Sequence, residues 1–96
     1  MVRGELAAVT KTYEVTTTAV TRFRLIVPPR QCKEGHLIAT EALQLMEQGL
    51  SEMKGFMELA LRTGRPDHDR RERANRLLAE ADRVKQRGLF QSETCK

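Results

Sequence analysis

Counting in sevens from Cys32 places Cys32, Ala39, Met46, Met53 and Ala60 in one column of the sequence. A second column is Gly35, Ala42, Gly49 and Phe56, and a third is His36, Leu43, Leu50 and Met57. A fourth holds Ile38, Leu45, Glu52 and Leu59, while most other positions from 34 to 62 are polar. At ~100° per residue these four columns adjoin one another on a helix and span roughly 160° of its circumference. A surface helix needs a stripe of only about 100° to face one core. Residues 30–62 are therefore expected to form a long amphipathic helix with more apolar surface than a single neighbour covers.

Length sharpens the point. About 32 residues at ~1.5 Å rise give a helix near 48 Å, whereas a compact chain of 96 residues has a radius of gyration of about 13 Å. Either the helix breaks, with Gly35, Gly49 and Gly55 as candidate points, or it projects and a partner covers it. The small column Gly35, Ala42 and Gly49 would let another helix approach closely. The methionines Met46, Met53 and Met57 give an adaptable surface of the kind that grips varied partners.

A stop follows at Thr63-Gly64-Arg65-Pro66-Asp67. Gly64 suits the left-handed position after a helix, and Pro66 forbids continuation. Asp67 or Asp69 can cap the next helix, and Asp69 with Glu72 resembles a capping box. A basic helix over 67–87 carries Ala74, Leu77, Leu78, Ala81 and Val84 on one face. Gly88 is expected to end it, with Leu89-Phe90 folding back as a local plug and residues 91–96 forming a flexible tail.

The first 29 residues read differently. They are rich in threonine and valine, and from Val9 to Val27 the odd positions are largely apolar and the even ones largely polar. That is the period-2 signal of a strand with one face buried. One strand of this length would run ~60 Å, so two strands near 8–15 and 19–27 are the better expectation. Thr16-Thr17-Thr18 lacks the glycine or asparagine of a tight hairpin, and the stretch around Leu6-Ala7-Ala8-Val9 could be helical instead. The expected fold is a single mostly α domain with a small β element. An N-terminal strand or β-ribbon leads into a long helix and a shorter antiparallel helix.

Charge is distributed in blocks. Residues 1–30 hold five basic and two acidic side chains (+3), 31–62 three and five (−2), and 65–87 eight and five (+3); Glu93 and Lys96 cancel, giving the formal +4 of the whole. An acidic segment between basic ones suits a helical hairpin with complementary faces. No apolar run has the length of a secretory signal or a membrane span, so a cytoplasmic protein with no membrane partner is expected. In a reducing compartment Cys32 and Cys95 would be free thiols.

Motifs of chemistry are scarce. Cys32 and His36 stand four apart, a spacing that can aim two ligands at one metal, yet His68 and Cys95 complete no ligand motif. A thiol and an imidazole on an apolar helix face are more commonly packing groups. No third group or oxyanion hole accompanies the pair, and Ser51 and Ser92 sit in no nucleophile elbow. Glu41, Glu47, Glu52 and Glu58 lie mainly on the solvated side, and no glycine-rich phosphate loop occurs. No catalytic residue, metal or cofactor is expected.

A strand followed by two helices resembles, in layout, the ribbon-helix-helix regulators. The resemblance implies a dimeric DNA binder whose two-stranded ribbon lays Arg22 and Arg24 in the major groove. Arg70, Arg71 and Arg73 could add phosphate contacts, although Glu72 and other acids intersperse them. The departure is large, since the first helix of such proteins is less than half as long as the one expected here.

The residues thus favour a non-enzymatic interaction module, a homodimer that regulates a larger protein as adaptor, chaperone-like subunit or antagonist, for instance by masking a transcription factor. Its expected binding face is Leu43, Met46, Leu50, Met53, Phe56 and Met57, flanked by Ile38, Leu45 and Leu59.

Overall fold

A computed structural model describes the backbone of residues 2–94 and the side chains of 4–88. It contains three helices, α1 (Val2–Arg24), α2 (Lys33–Thr63) and α3 (His68–Thr94), with a short 3₁₀ turn, Arg30–Cys32, ahead of α2. Among the described residues there is no strand, so the expected N-terminal strand or ribbon is wrong.

Both periods are present in the first segment, and the helical one prevails. Leu6, Val9, Tyr13, Thr16, Val20 and Phe23 recur at alternating spacings of three and four, and all six are buried or half-buried. Val15 and Leu25, which the alternating reading turned inward, are 61% and 78% exposed. The threonines that suggested β structure are accommodated locally. Thr12, Thr18 and Thr21 donate their hydroxyls to the carbonyls of Ala8, Glu14 and Thr17, four residues back, at 2.9–3.1 Å. Packing on α2 then overrides the weak local preference for strand.

The central helix runs unbroken from Lys33 to Thr63, through Gly35, Gly49 and Gly55. Gly64 ends it in the left-handed conformation (φ 69°), its N–H donating to Ala60 O at 2.8 Å. Asp67 caps α3, its Oδ1 accepting from the Arg70 N–H at 3.2 Å. Asp69 is already inside that helix.

Both outer helices run antiparallel to α2. Phe23 lies against His36 and Thr16 against Met46 on one side; Leu78 meets Gly49 and Gly88 meets Ile38 and Ala39 on the other. The outer helices scarcely touch each other. The result is a layer of three rods, 50 × 21 × 17 Å, with α2 as its spine.

The α2–α3 seam is made of small residues. Ala42 and Gly49 are buried against Ala74, Ala81 and the fully buried Val84. A Cβ built on Gly49 would stand 2.8 Å from Leu78 Cγ, so α3 occupies the space glycine leaves. The helix expected to approach the small column is therefore the chain's own. Gly88 does not end α3; it is buried, and the helix carries on to Thr94. The expected Leu89-Phe90 plug concerns side chains outside the described residues.

In this antiparallel register, six residues beyond Gly88 bring α3 level with the start of α2, where Cys32 lies. Cys32 is disulfide-bonded, which corrects the expectation of a free thiol; Cys95, the chain's other cysteine, lies outside the described residues. Spacing along the sequence does not reveal that α3 returns its end to this pole.

Two glycine substitutions test the seam. Gly49→Ala should destabilise the fold by about 1–2 kcal/mol, overpacking outweighing the gain in helix propensity. Gly4→Ala, with nothing within 4 Å of the added methyl, should be neutral or stabilise by up to ~1 kcal/mol. Urea unfolding of the two variants checks the contrast.

Candidate interaction face

Along one side of the α2–α3 seam lies an open groove of about 570 Å³. Ala39, Ala42, Leu43 and Met46 line it from α2, and Leu78, Ala81, Asp82, Lys85 and Gly88 from α3. The lining is predominantly apolar, with the exposed Asp82 and Lys85 at its edge.

Of the nine expected face residues, Leu50 is buried and Ile38, Leu43, Leu45, Met46, Met53, Phe56, Met57 and Leu59 are all half-buried. Two line the groove, and Ile38 adjoins it beneath Gly88. The edge that lacked a cover is partly supplied by the outer helices. Neither closes the face, because α1 and α3 do not meet above α2. On the α3 side, Leu78 and Ala81 belong to the expected apolar face, whereas Asp82, Lys85 and Gly88 do not. The signal of this edge was the pair Asp82 and Lys85, three apart beside the inward-facing Ala81 and Val84.

The elongated outline leaves more surface exposed than a compact chain of this size would have. The accessible surface is 7034 Å², against about 5,600 Å² for a compact monomer of 11.0 kDa. The radius of gyration is 15.5 Å, against about 12.5 Å for a compact chain of this length. The surplus of roughly 1,400 Å² per chain exceeds the ~800 Å² that each partner contributes to a standard interface.

Other candidate groups have structural partners. His36 stacks on Phe23, ring centroids 4.3 Å apart and planes 11° from parallel, so it joins α1 to α2. Glu52 accepts from Arg70 Nε at 3.1 Å, and the Arg70 guanidinium lies over Gly55. Lys54 reaches Glu58 at 3.8 Å and stands 5.6 Å from the centre of the Tyr13 ring. Both ion pairs are partly exposed, so each adds little stability.

The arginines of the nucleic-acid alternative do not form one surface. Arg22 and Arg24 are exposed at the end of α1 beside the start of α2; Arg24 reaches across to Gln44. Arg70 is half-buried on Glu52, with Arg71 and Arg73 exposed nearby. In the antiparallel register the two groups stand near positions 36–44 and 52–55 of α2, roughly 12–28 Å apart along its axis. The ribbon that would have carried Arg22 and Arg24 into a groove is absent. Among the described residues no helix is long and apolar enough to cross a membrane. No family model, curated protein or solved structure matches the chain.

Within the α1–α2 contact, the Thr16 hydroxyl donates to Met46 Sδ at 3.7 Å, whereas the buried Thr17 Oγ1 has no partner. An unsatisfied buried hydroxyl is a cost that valine removes at nearly constant volume. Thr17→Val should therefore raise stability by about 1 kcal/mol, and Thr16→Val should bring no comparable gain. Thermal unfolding followed by circular dichroism distinguishes the two.

Proposed function

We propose that the chain is a non-enzymatic, homodimeric interaction module that regulates a larger protein, and that the open α2–α3 groove seats the second copy. The supporting observation is the half-buried apolar row on α2 beside a groove edged by one acid and one base. A two-fold interface sets each patch against its own image. Asp82 and Lys85, one turn apart and both exposed, can each meet the other's counterpart across such an axis.

The surplus surface provides the area, and the groove's apolar floor provides the driving force. Dimerisation would bury Leu43 and Met46 fully, completing a core that three thin helices leave open. Association through an apolar helical face is then the mode of action, with the larger partner recognised by the assembled dimer. The separation of the two arginine groups argues against nucleic acid as that partner.

Light scattering on a dilution series should show a dimer that dissociates on dilution. Lys85→Glu places like charges on both symmetric contacts and should raise the dissociation constant about tenfold or more. Asp82→Lys in the same chain should restore it, because the pair is then reversed. Leu43→Asp should leave a monomer. A wild-type monomer at every concentration, or a Lys85→Glu variant that dimerises unchanged, would refute the proposal.

A further inference from the structure

The connection between α1 and α2 is apolar and stands in solvent. Leu25, Ile26 and Val27 are 78%, 53% and 92% exposed, and Pro28-Pro29 follow them. The α2 helix, about 46 Å long, spans nearly the whole 50 Å of the molecule, so this connection forms one pole of the rod. Leu37, 60% exposed, lies one turn along α2 from Lys33 at the same pole.

The chain on either side of this tip is predominantly basic, the exposed Glu34 beside Lys33 being the acid nearest to it along the sequence. Between Glu14 and Glu34 the chain has no carboxylate, but it has Arg22, Arg24, Arg30 and Lys33, all exposed. Among the described residues Arg22, Arg30 and Lys33 make no ion pair, in contrast to Arg70 and Lys54 on the rod's flank.

The N–H groups of the tip's backbone are largely satisfied within the chain. The Leu25 N–H donates to Arg22 O at 3.1 Å and the Ile26 N–H to Phe23 O at 3.2 Å. Pro28 and Pro29 have no N–H, and the Pro29 carbonyl accepts from the Cys32 N–H at 2.9 Å. Val27 is the one residue from 25 to 29 with a backbone N–H outside these bonds. Few donors would have to be stripped of water if the tip entered an apolar medium.

We propose that the 25–29 tip is an anchor for an anionic lipid surface, with Leu25, Ile26 and Val27 entering the interface and Arg22, Arg30 and Lys33 lying among the headgroups. A lipid surface is favoured over a protein by shape and composition. The tip is convex, and a bilayer moulds to it without a preformed socket. The exposed cations Arg22, Arg30 and Lys33 flank the aliphatic residues, which matches an apolar boundary under an anionic surface. The seating is peripheral, several ångströms deep, and uses apolar contact and surface charge together.

The test is co-sedimentation of the full chain with phosphatidylcholine vesicles, with and without phosphatidylserine. Binding is expected only with phosphatidylserine and should weaken with salt. Arg22→Ala with Arg30→Ala should weaken it about 25-fold, near fivefold for each charge. Ile26→Asp with Val27→Asp should abolish it while helicity is unchanged, since both side chains are solvent-exposed. No binding to the anionic vesicles would overturn the proposal. So would undiminished binding by the double aspartate variant, which would mean surface charge alone. Retention on an oligonucleotide without vesicle binding would assign the pole to nucleic acid. A double aspartate variant that no longer dimerises would make the tip a contact between copies.

Discussion

The close approach of α3 to α2 at Gly49 is the contact on which the rest of the architecture rests. A glycine there lets Leu78 sit on the α2 backbone, and Ala42, Ala74 and Ala81 keep the two axes near each other along the seam. Small residues make a tight seam and a thin core: among the described residues Val84 is the largest side chain that is fully buried. Larger side chains lie at the margin of the seam, where Leu43 and Met46 are covered in part. The surplus apolar surface thus follows directly from the closeness of the seam. A looser pair of helices would have buried those two side chains between them.

The second helix dominates what could be read in advance, because its signal is long and its period is unambiguous. Gly64 and Asp67 mark its end and the next start by backbone chemistry that does not depend on packing. The first segment failed for the opposite reason. Its threonines and valines satisfy a period of two and a spacing of three and four at once, and local propensity favours the former. What decides is whether α2 offers a surface for the stripe from Leu6 to Phe23, which is a fact about the folded chain. Val15 marks the difference, since the two readings turn it to opposite sides.

Gly88 and Cys32 were misjudged through the same kind of omission. A glycine after a helical stretch reads as a stop, but here it admits Ile38 and Ala39 against the α3 backbone, and helix continues past it. That continuation returns the chain to the pole that carries Cys32. On the candidate face, the α2 half was legible from its columns. The charged edge on α3 was not, since Asp82 and Lys85 look like any other members of a mixed charged run until the helix is placed.

The two proposed surfaces constrain one another through symmetry. The groove lies on the flank of the rod and the aliphatic tip at its pole, so a dimer can in principle set both tips at one end or at opposite ends. The charges on α3 choose between these. With the two rods parallel, a two-fold axis along them would bring Asp82 against its own image and Lys85 against its own, which is repulsive twice. With the rods antiparallel, the axis passes between the two residues and each acid meets a base. Antiparallel seating puts the tips at opposite poles, so a single flat bilayer can hold only one of them. Membrane attachment then gains no avidity from dimerisation, because the second tip cannot reach the same surface. A dimer attached by one pole instead projects its other tip away from the bilayer, where it is free to meet a second anionic surface.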